Sequence, residues 1–118
     1  MNIPLGELKT ELLLIGAGAK LAYVVDAAFH ADNAARIVAL ARGADQLFIE
    51  AAFLEADAAV AARTRHLTAA QAGALAREAD VKHVVPFHFS RRYLGHEELP
   101  RHELAAIFTG EASRMSEC

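Results

Sequence analysis

Three short apolar runs set the pattern of this chain, and each stops on a polar group. Leu21-Ala22-Tyr23-Val24-Val25 ends at Asp26, Gln46-Leu47-Phe48-Ile49 ends at Glu50, and Val81–Phe87 ends at His88. Their β-branched and aromatic content predicts three buried strands. A fourth run, Leu12–Ile15, leads into Gly16-Ala17-Gly18-Ala19. This Gly-x-Gly lacks a well-placed third glycine and opens a strand rather than a helix. It therefore predicts a hairpin turn and excludes a dinucleotide-binding fingerprint. Pro4 and Gly6 mark residues 1–10 as an entry loop.

Between the strands the period becomes helical. Asn33–Arg42 places Ala34, Ile37, Val38 and Ala41 on one face, with Asp32 as cap and Gly43 as stop. Glu55–Arg65 is alanine-rich and helical in part. Thr68 and Gln71 form a capping-box pattern for a helix reaching about Ala79, which sets His66 just ahead of its N-terminus. Pro100 suits the first turn of a last helix near Arg101–Phe108, and Gly110 ends it. Residues 110–118 carry no clear signal. Strands alternating with helices predict one α/β domain over residues 1–118, with a mostly parallel sheet and flanking helices. Functional groups in such sheets gather at the carboxyl ends of the strands. Asp26, Glu50 and His88 then share one edge, and the loop carrying His66 can join them.

Composition narrows the class. The hydrophobic fraction is 54%, but 27 residues are alanine, so bulky apolar residues make up only about a third of the chain. No apolar run approaches the ~20 residues of a spanning helix, and Met1-Asn2-Ile3-Pro4 has no leader pattern. A net charge of -3 gives no global basic field to attract nucleic acid. The single Cys118 forms no internal disulfide, which suits a reducing cytoplasm.

A carboxylate and an imidazole on neighbouring strand ends are ligands suited to zinc or manganese. Glu50 and His66 suit a general acid or a proton-transferring pair. A position before a helix N-terminus places His66 beside backbone N–H groups that favour phosphate. Ser90, Arg91 and Arg92 follow His88 and can add hydrogen bonds and charge. Each residue also has a plainer reading: Asp26 as a turn residue, Glu50 in an ion pair with arginine, His66 beside a cap, His88 as a core histidine, the arginines as a solvated face. His83, His96 and His102 read as surface residues, while His30 lies close to Asp26 in sequence.

Four segments resemble the C-terminal half of metallo-β-lactamase-fold hydrolases of the ribonuclease Z type. Lys20–Asp26 is similar to a strand that the family ends in Gly-Asp-Thr, here Val25-Asp26-Ala27. Phe48-Ile49-Glu50-Ala51-Ala52-Phe53 is similar to the family's His-Glu-Ala-Thr-Phe segment, and His66-Leu67-Thr68 to its His-Ser-Thr. His88-Phe89-Ser90-Arg91-Arg92-Tyr93 resembles His-Phe-Ser-Pro-Arg-Tyr, with Arg91 in place of proline.

The resemblance covers Lys20 to Leu99 and implies half of an αβ/βα sandwich. It implies that Asp26 and His88 are ligands to zinc or manganese, that Glu50 and His66 assist proton transfer, and that Ser90 and Arg92 hold phosphate. It further implies trimming of tRNA 3′ ends, with RNA as a partner by family analogy alone. The family's His-x-His-x-Asp-His motif does not occur in these 118 residues. The expectation is therefore a truncated or split gene product, inactive alone, that forms a homodimer or pairs with an N-terminal half. Two other readings stand beside it: a non-catalytic interaction domain that kept the fold, and a hydrolase of the wider fold acting on a small ester or phosphodiester.

Overall fold

The computed structural model describes residues 9–15, 19–25 and 31–110, and the first described elements form a hairpin. β1 (Lys9–Ile15) and β2 (Ala19–Val25) pair antiparallel, from Ile15↔Ala19 to Lys9↔Val25. The hairpin is the expected one, although most of its turn lies outside the described residues. β1 reaches back into the expected entry loop because Lys9, Thr10 and Glu11 find ladder partners in Val25, Val24 and Tyr23 of β2. A ladder partner outweighs the polar character of those three residues.

From β2 onward the sheet is parallel. β3 (Gln46–Glu50) pairs with β2, β4 (His83–Phe87) pairs with β3, and the order is β1-β2-β3-β4. The crossovers carry α1 (Ala31–Ala41), then α2 (Ala58–Thr64) and α3 (Ala69–Glu78), and α4 (Glu98–Thr109) follows β4. Helix α1 starts one residue before Asp32, so this acid sits in the first turn, where the helix dipole favours it, and not at the cap. Helix α4 begins at Glu98, earlier than the apolar spacing suggests, and Pro100 falls in its first turn as expected.

The core forms where one face of the sheet meets the helices. Ala22, Val24, Leu47 and Ile49 are buried there against Ile37 and Val38 of α1, Leu75 and Ala76 of α3, and Leu104 of α4. Each large aliphatic side chain removed from water in this layer contributes about 1.5–3 kcal/mol. Small residues let the helices approach closely. A Cβ added at Gly73 would lie 2.6 Å from the Leu104 carbonyl oxygen, where α3 crosses α4. Alanine has the better helix propensity by about 1 kcal/mol, but here it would push backbone against backbone. Gly73→Ala is therefore expected to destabilise by about 1–3 kcal/mol. Urea denaturation checks this, and an unchanged or raised midpoint would contradict it.

The opposite face of the sheet is not covered by any described helix. Tyr23 is 41% exposed, and Phe48, Val85 and Phe87 are half-buried. The Tyr23 ring stacks on Phe87 at 4.9 Å and lies 6.3 Å from Phe48. β4 is thus not the fully buried strand its sequence predicts, since His83 is exposed and the residues after it are half-buried. Pro86 fits this edge position, because its missing N–H costs a ladder bond only in a central strand. Parallel sheets are usually covered on both faces, whereas among the described residues only one face of this sheet meets helices.

Candidate functional site

The carboxyl ends of β3 and β4 meet at one buried acid. Glu50 closes β3, opposite Phe87 in the ladder, and is fully buried. A buried carboxylate is costly unless its oxygens are hydrogen-bonded. Here Oε1 accepts from Nδ1 of His88 at 2.9 Å. Oε2 accepts from Nδ1 of His66 at 3.0 Å and from the Leu67 N–H at 2.9 Å. A carboxylate only accepts, so each imidazole carries a proton on Nδ1 and keeps Nε2 as the nitrogen not committed to Glu50. The two rings stand edge to face with centroids 5.5 Å apart.

Residues 51–54 set the spacing of the two histidine loops by bonding to each of them. The Ala51 N–H donates to the Phe87 carbonyl at 3.0 Å, and the Ala52 carbonyl accepts from the Ser90 N–H at 2.8 Å. On the other side, the Ala52 N–H donates to the Leu67 carbonyl at 3.1 Å, and the Phe53 carbonyl accepts from the Ala69 N–H at 2.7 Å. His88 itself is left-handed at φ 62°, a conformation uncommon for a residue with a Cβ. The bonds flanking it, with that to Glu50, hold the ring in this uncommon position.

His66 arrives by a different route. Arg65 ends α2 in the left-handed region at φ 59°, and the His66 N–H donates to Ala61. Thr68 then caps α3 with the predicted capping box: its hydroxyl accepts from the Gln71 N–H, and Gln71 Oε1 accepts from the Thr68 N–H. This corrects one expectation. Gln71, Thr68 and Ala69 spend their N–H groups on the box and on the Phe53 carbonyl, so the helix end is not an open anion cradle.

The loop after His88 is tied to the segment after β3. Ser90 caps a 3-10 turn at Arg91–Tyr93 and is half-buried. Arg92 Nη1 pairs with Asp57 at 3.0 Å, and its guanidinium lies 5.4 Å over the Phe53 ring. Arg91 is exposed. The Tyr93 hydroxyl donates to Asp57 and accepts from the Leu54 N–H at 2.8 Å. The bond from Tyr93 and then the charge of Arg92 hold the Asp57 carboxyl below its ordinary value, whereas burial and Asp57 push the Tyr93 phenol up. A lowered carboxylate gives stability that is complete above its unfolded value and is lost as pH falls through the folded one. Acidification below about pH 4 is therefore expected to destabilise the native chain more than Asp57→Asn. Parallel acid-unfolding curves for the two proteins would contradict this. The raised phenol acts at the other extreme, where its contribution is lost as pH rises past about 10.

A cavity of about 170 Å³ opens over these groups, lined by Phe53, Thr64, His66, His88 and Ser90 among others. Ligand-type atoms of Glu50, His66 and His88 lie within 4.8 Å of one another, an oxygen and nitrogen donor set that zinc accepts. Of the residues singled out in the sequence, the structure brings together Glu50, His66, His88 and Ser90 and turns Arg92 toward Asp57. Among the described residues, Glu50 pairs with two histidines. Asp26 and His30 lie outside the described residues, while His83, His96 and His102 are exposed as expected.

The same segments align with curated proteins. The chain is 49% identical over 100 residues to the ribonuclease Z of Thermobifida fusca, an alignment covering 83% of this chain and 30% of that protein. It is 40% identical over 101 residues to the ribonuclease Z of Streptomyces coelicolor, covering 86% of this chain and 32% of the relative. The chain is ribonuclease Z-like. It spans about a third of the length of these two relatives. Human tRNase Z, short form, superposes with a TM-score of 0.56 at 30% identity, covering 65% of this ribonuclease Z-like chain and 29% of that one. The metallo-beta-lactamase fold protein YhfI of Bacillus subtilis gives a TM-score of 0.68 over 90% of this chain and 46% of its own; at 17% identity it shows the fold alone. That fold is the expected one, with its strands β2 to β4 parallel. No protein-family model matches the chain. Among the described residues, no helix is long and apolar enough to cross a membrane.

Proposed function

We propose that this chain supplies the C-terminal half of a metal-dependent phosphodiester hydrolase of the ribonuclease Z kind, acting at tRNA 3′ ends. One observation carries the reading: a single buried carboxylate holds His66 and His88 by their Nδ1 atoms, in segments that match ribonuclease Z. His88 and Asp26 are the residues that would hold zinc or manganese. The donor chemistry fits, because a ligating histidine commonly gives its second ring N–H to a carboxylate, as His88 does to Glu50. When bound, the metal polarises the phosphoryl oxygen and activates water.

The chain's own residues do the remainder. His66, held by Glu50 through Nδ1, acts as the imidazolium: it gives its Nε2 proton to the leaving oxygen and is left as the neutral ring with its proton on Nδ1. The Ser90 hydroxyl, beside both rings in the cavity, hydrogen-bonds a phosphate oxygen. Arg92 contributes positive charge at the rim while its Nη1 stays on Asp57. Two protein ligands fall short of the three usual at an open catalytic zinc, so these 118 residues alone hydrolyse poorly and the cytoplasmic working form draws its remaining ligands from outside them.

The uncovered sheet face around Tyr23, Phe48 and Phe87 is where a partner packs, either an N-terminal half or a second copy. Light scattering is expected to show association, and Phe48→Lys is expected to abolish it. A clean monomer that binds no hydrophobic dye contradicts the docking face. For the activity, precursor tRNA is compared with a chromogenic phosphodiester after the N-terminal part of the Thermobifida fusca relative is supplied. Cleavage of precursor tRNA is expected. Turnover of the small ester alone would favour the reading as a small-ester hydrolase.

A further inference from the structure

The cluster around Tyr93 lies outside the Glu50 centre, yet it fixes the loop that carries His88 and Ser90. Three elements converge on it. Leu54 is the last residue of the loop-bonding run 51–54, Asp57 ends the 3-10 turn Glu55–Asp57, and Tyr93 ends the turn Arg91–Tyr93. The Tyr93 ring is 6% exposed and packs with Ala52, Phe53 and Ala61, meeting the Phe53 ring edge-on at 6.5 Å. Its hydroxyl makes two bonds at once, donating to Asp57 and accepting from the Leu54 N–H. Asp57 uses its second oxygen on Arg92, one residue before Tyr93 in the same loop.

We infer that Asp57 and Tyr93 are positioning residues that latch the His88–Tyr93 loop onto the segment after β3. The inference rests on His88 and Ser90 being site residues. The loop is short, and its near end is the left-handed His88 at φ 62°. A residue in that conformation relaxes when its neighbours permit. At the near end the loop is held by the His88–Glu50 bond and by the Ser90 N–H on Ala52. At the far end, the described side-chain bonds from the loop to another element are those of Tyr93 and Arg92, and both go to Asp57 or to its neighbour Leu54. Releasing that end lets Ser90 drift from Ala52 and the His88 ring rotate away from Glu50, while Glu50, His66 and α3 keep their own bonds. The latch therefore acts on one histidine and not on the other.

The test uses amide hydrogen exchange and imidazole ¹⁵N spectra of the full chain, with Tyr93→Phe and Asp57→Asn compared with wild type. Tyr93→Phe keeps the buried ring and removes only the hydroxyl. Asp57→Asn leaves the ring untouched and serves if the first variant fails to fold. The Ser90 N–H is expected to exchange about tenfold faster than wild type, the effect of losing one charge-assisted hydrogen bond, while the Leu47 and Ile49 amides change less. The His88 ring signals should shift or broaden, and those of His66 should stay in place. A purely structural role would instead speed Ser90, Leu47 and Ile49 in proportion, or move both rings together; either outcome overturns the inference, as does no change at Ser90. Because neither readout needs metal or substrate, failure of the latch is distinguishable from failure of the hydrolase reading.

Discussion

Glu50→Ala is expected to lower stability by about 2–4 kcal/mol, through an unfilled volume and the donors it orphans, which among the described residues are His66, His88 and the Leu67 N–H. The Leu67 N–H is the costliest orphan, because Leu67 is fully buried and no water replaces the lost acceptor. The two imidazole N–H groups lose less, since His66 and His88 keep 27% and 46% side-chain exposure and can turn to water. Glu50→Gln separates the contributions. It fills the volume but puts an amide NH₂ where an acceptor is required, so it is expected to cost about 1–3 kcal/mol. Denaturant unfolding measures both. A glutamine variant as stable as wild type would mean that Glu50 does not accept from both histidines, and the division of roles between them would fall with it.

In the assembly completed by an N-terminal partner, His66→Ala is expected to lower kcat by about 10²–10⁴ with KM little changed, the signature of a lost proton donor. The stability cost should be small. His66 is part-exposed, and the loop around it is held independently by the bond from its own N–H to Ala61 and by the Thr68–Gln71 box. A fall in kcat matched by an equal loss of native fold would remove the catalytic assignment. Substrates with a better leaving group need less protonation, so the defect should shrink with a nitrophenyl phosphodiester. An equal defect on both substrates would place His66 in binding and not in proton transfer.

Much of this arrangement was legible in the sequence because the signals are local. The three strand ends, the Thr68–Gln71 box and the stop at Gly110 each rest on residues within a few positions of one another. The rule that parallel strands present their carboxyl ends to one edge then brought Glu50, His66 and His88 together without a contact map. What escaped the sequence is long-range. Tyr93 and Asp57 lie 36 residues apart, and no periodicity links a phenol in one loop to an acid in another. Asp57 was hidden in the alanine-rich stretch Glu55–Arg65, whose weak helical period singles out none of its acids. That Glu50 serves both histidines was also invisible, because motif spacing pairs it with His66 and says nothing of which oxygen faces His88. The half-covered sheet agrees with the half sandwich that the family resemblance implies, whereas the strand pattern alone hides it, because apolar strands read as buried whether or not their second face meets a helix. Tyr23 shows the difference: apolar in pattern, yet 41% exposed.

The division of labour set by Glu50 is the central claim, and metal retention tests it most directly. Wild type, His88→Ala and His66→Ala are each assembled with the N-terminal partner and dialysed without chelator. Zinc and manganese per chain are then counted by mass spectrometry. Metal should be retained by wild type and by His66→Ala and be depleted in His88→Ala. Equal retention in all three, or depletion in His66→Ala as deep as in His88→Ala, would contradict the assignment of one histidine to the metal and the other to the proton.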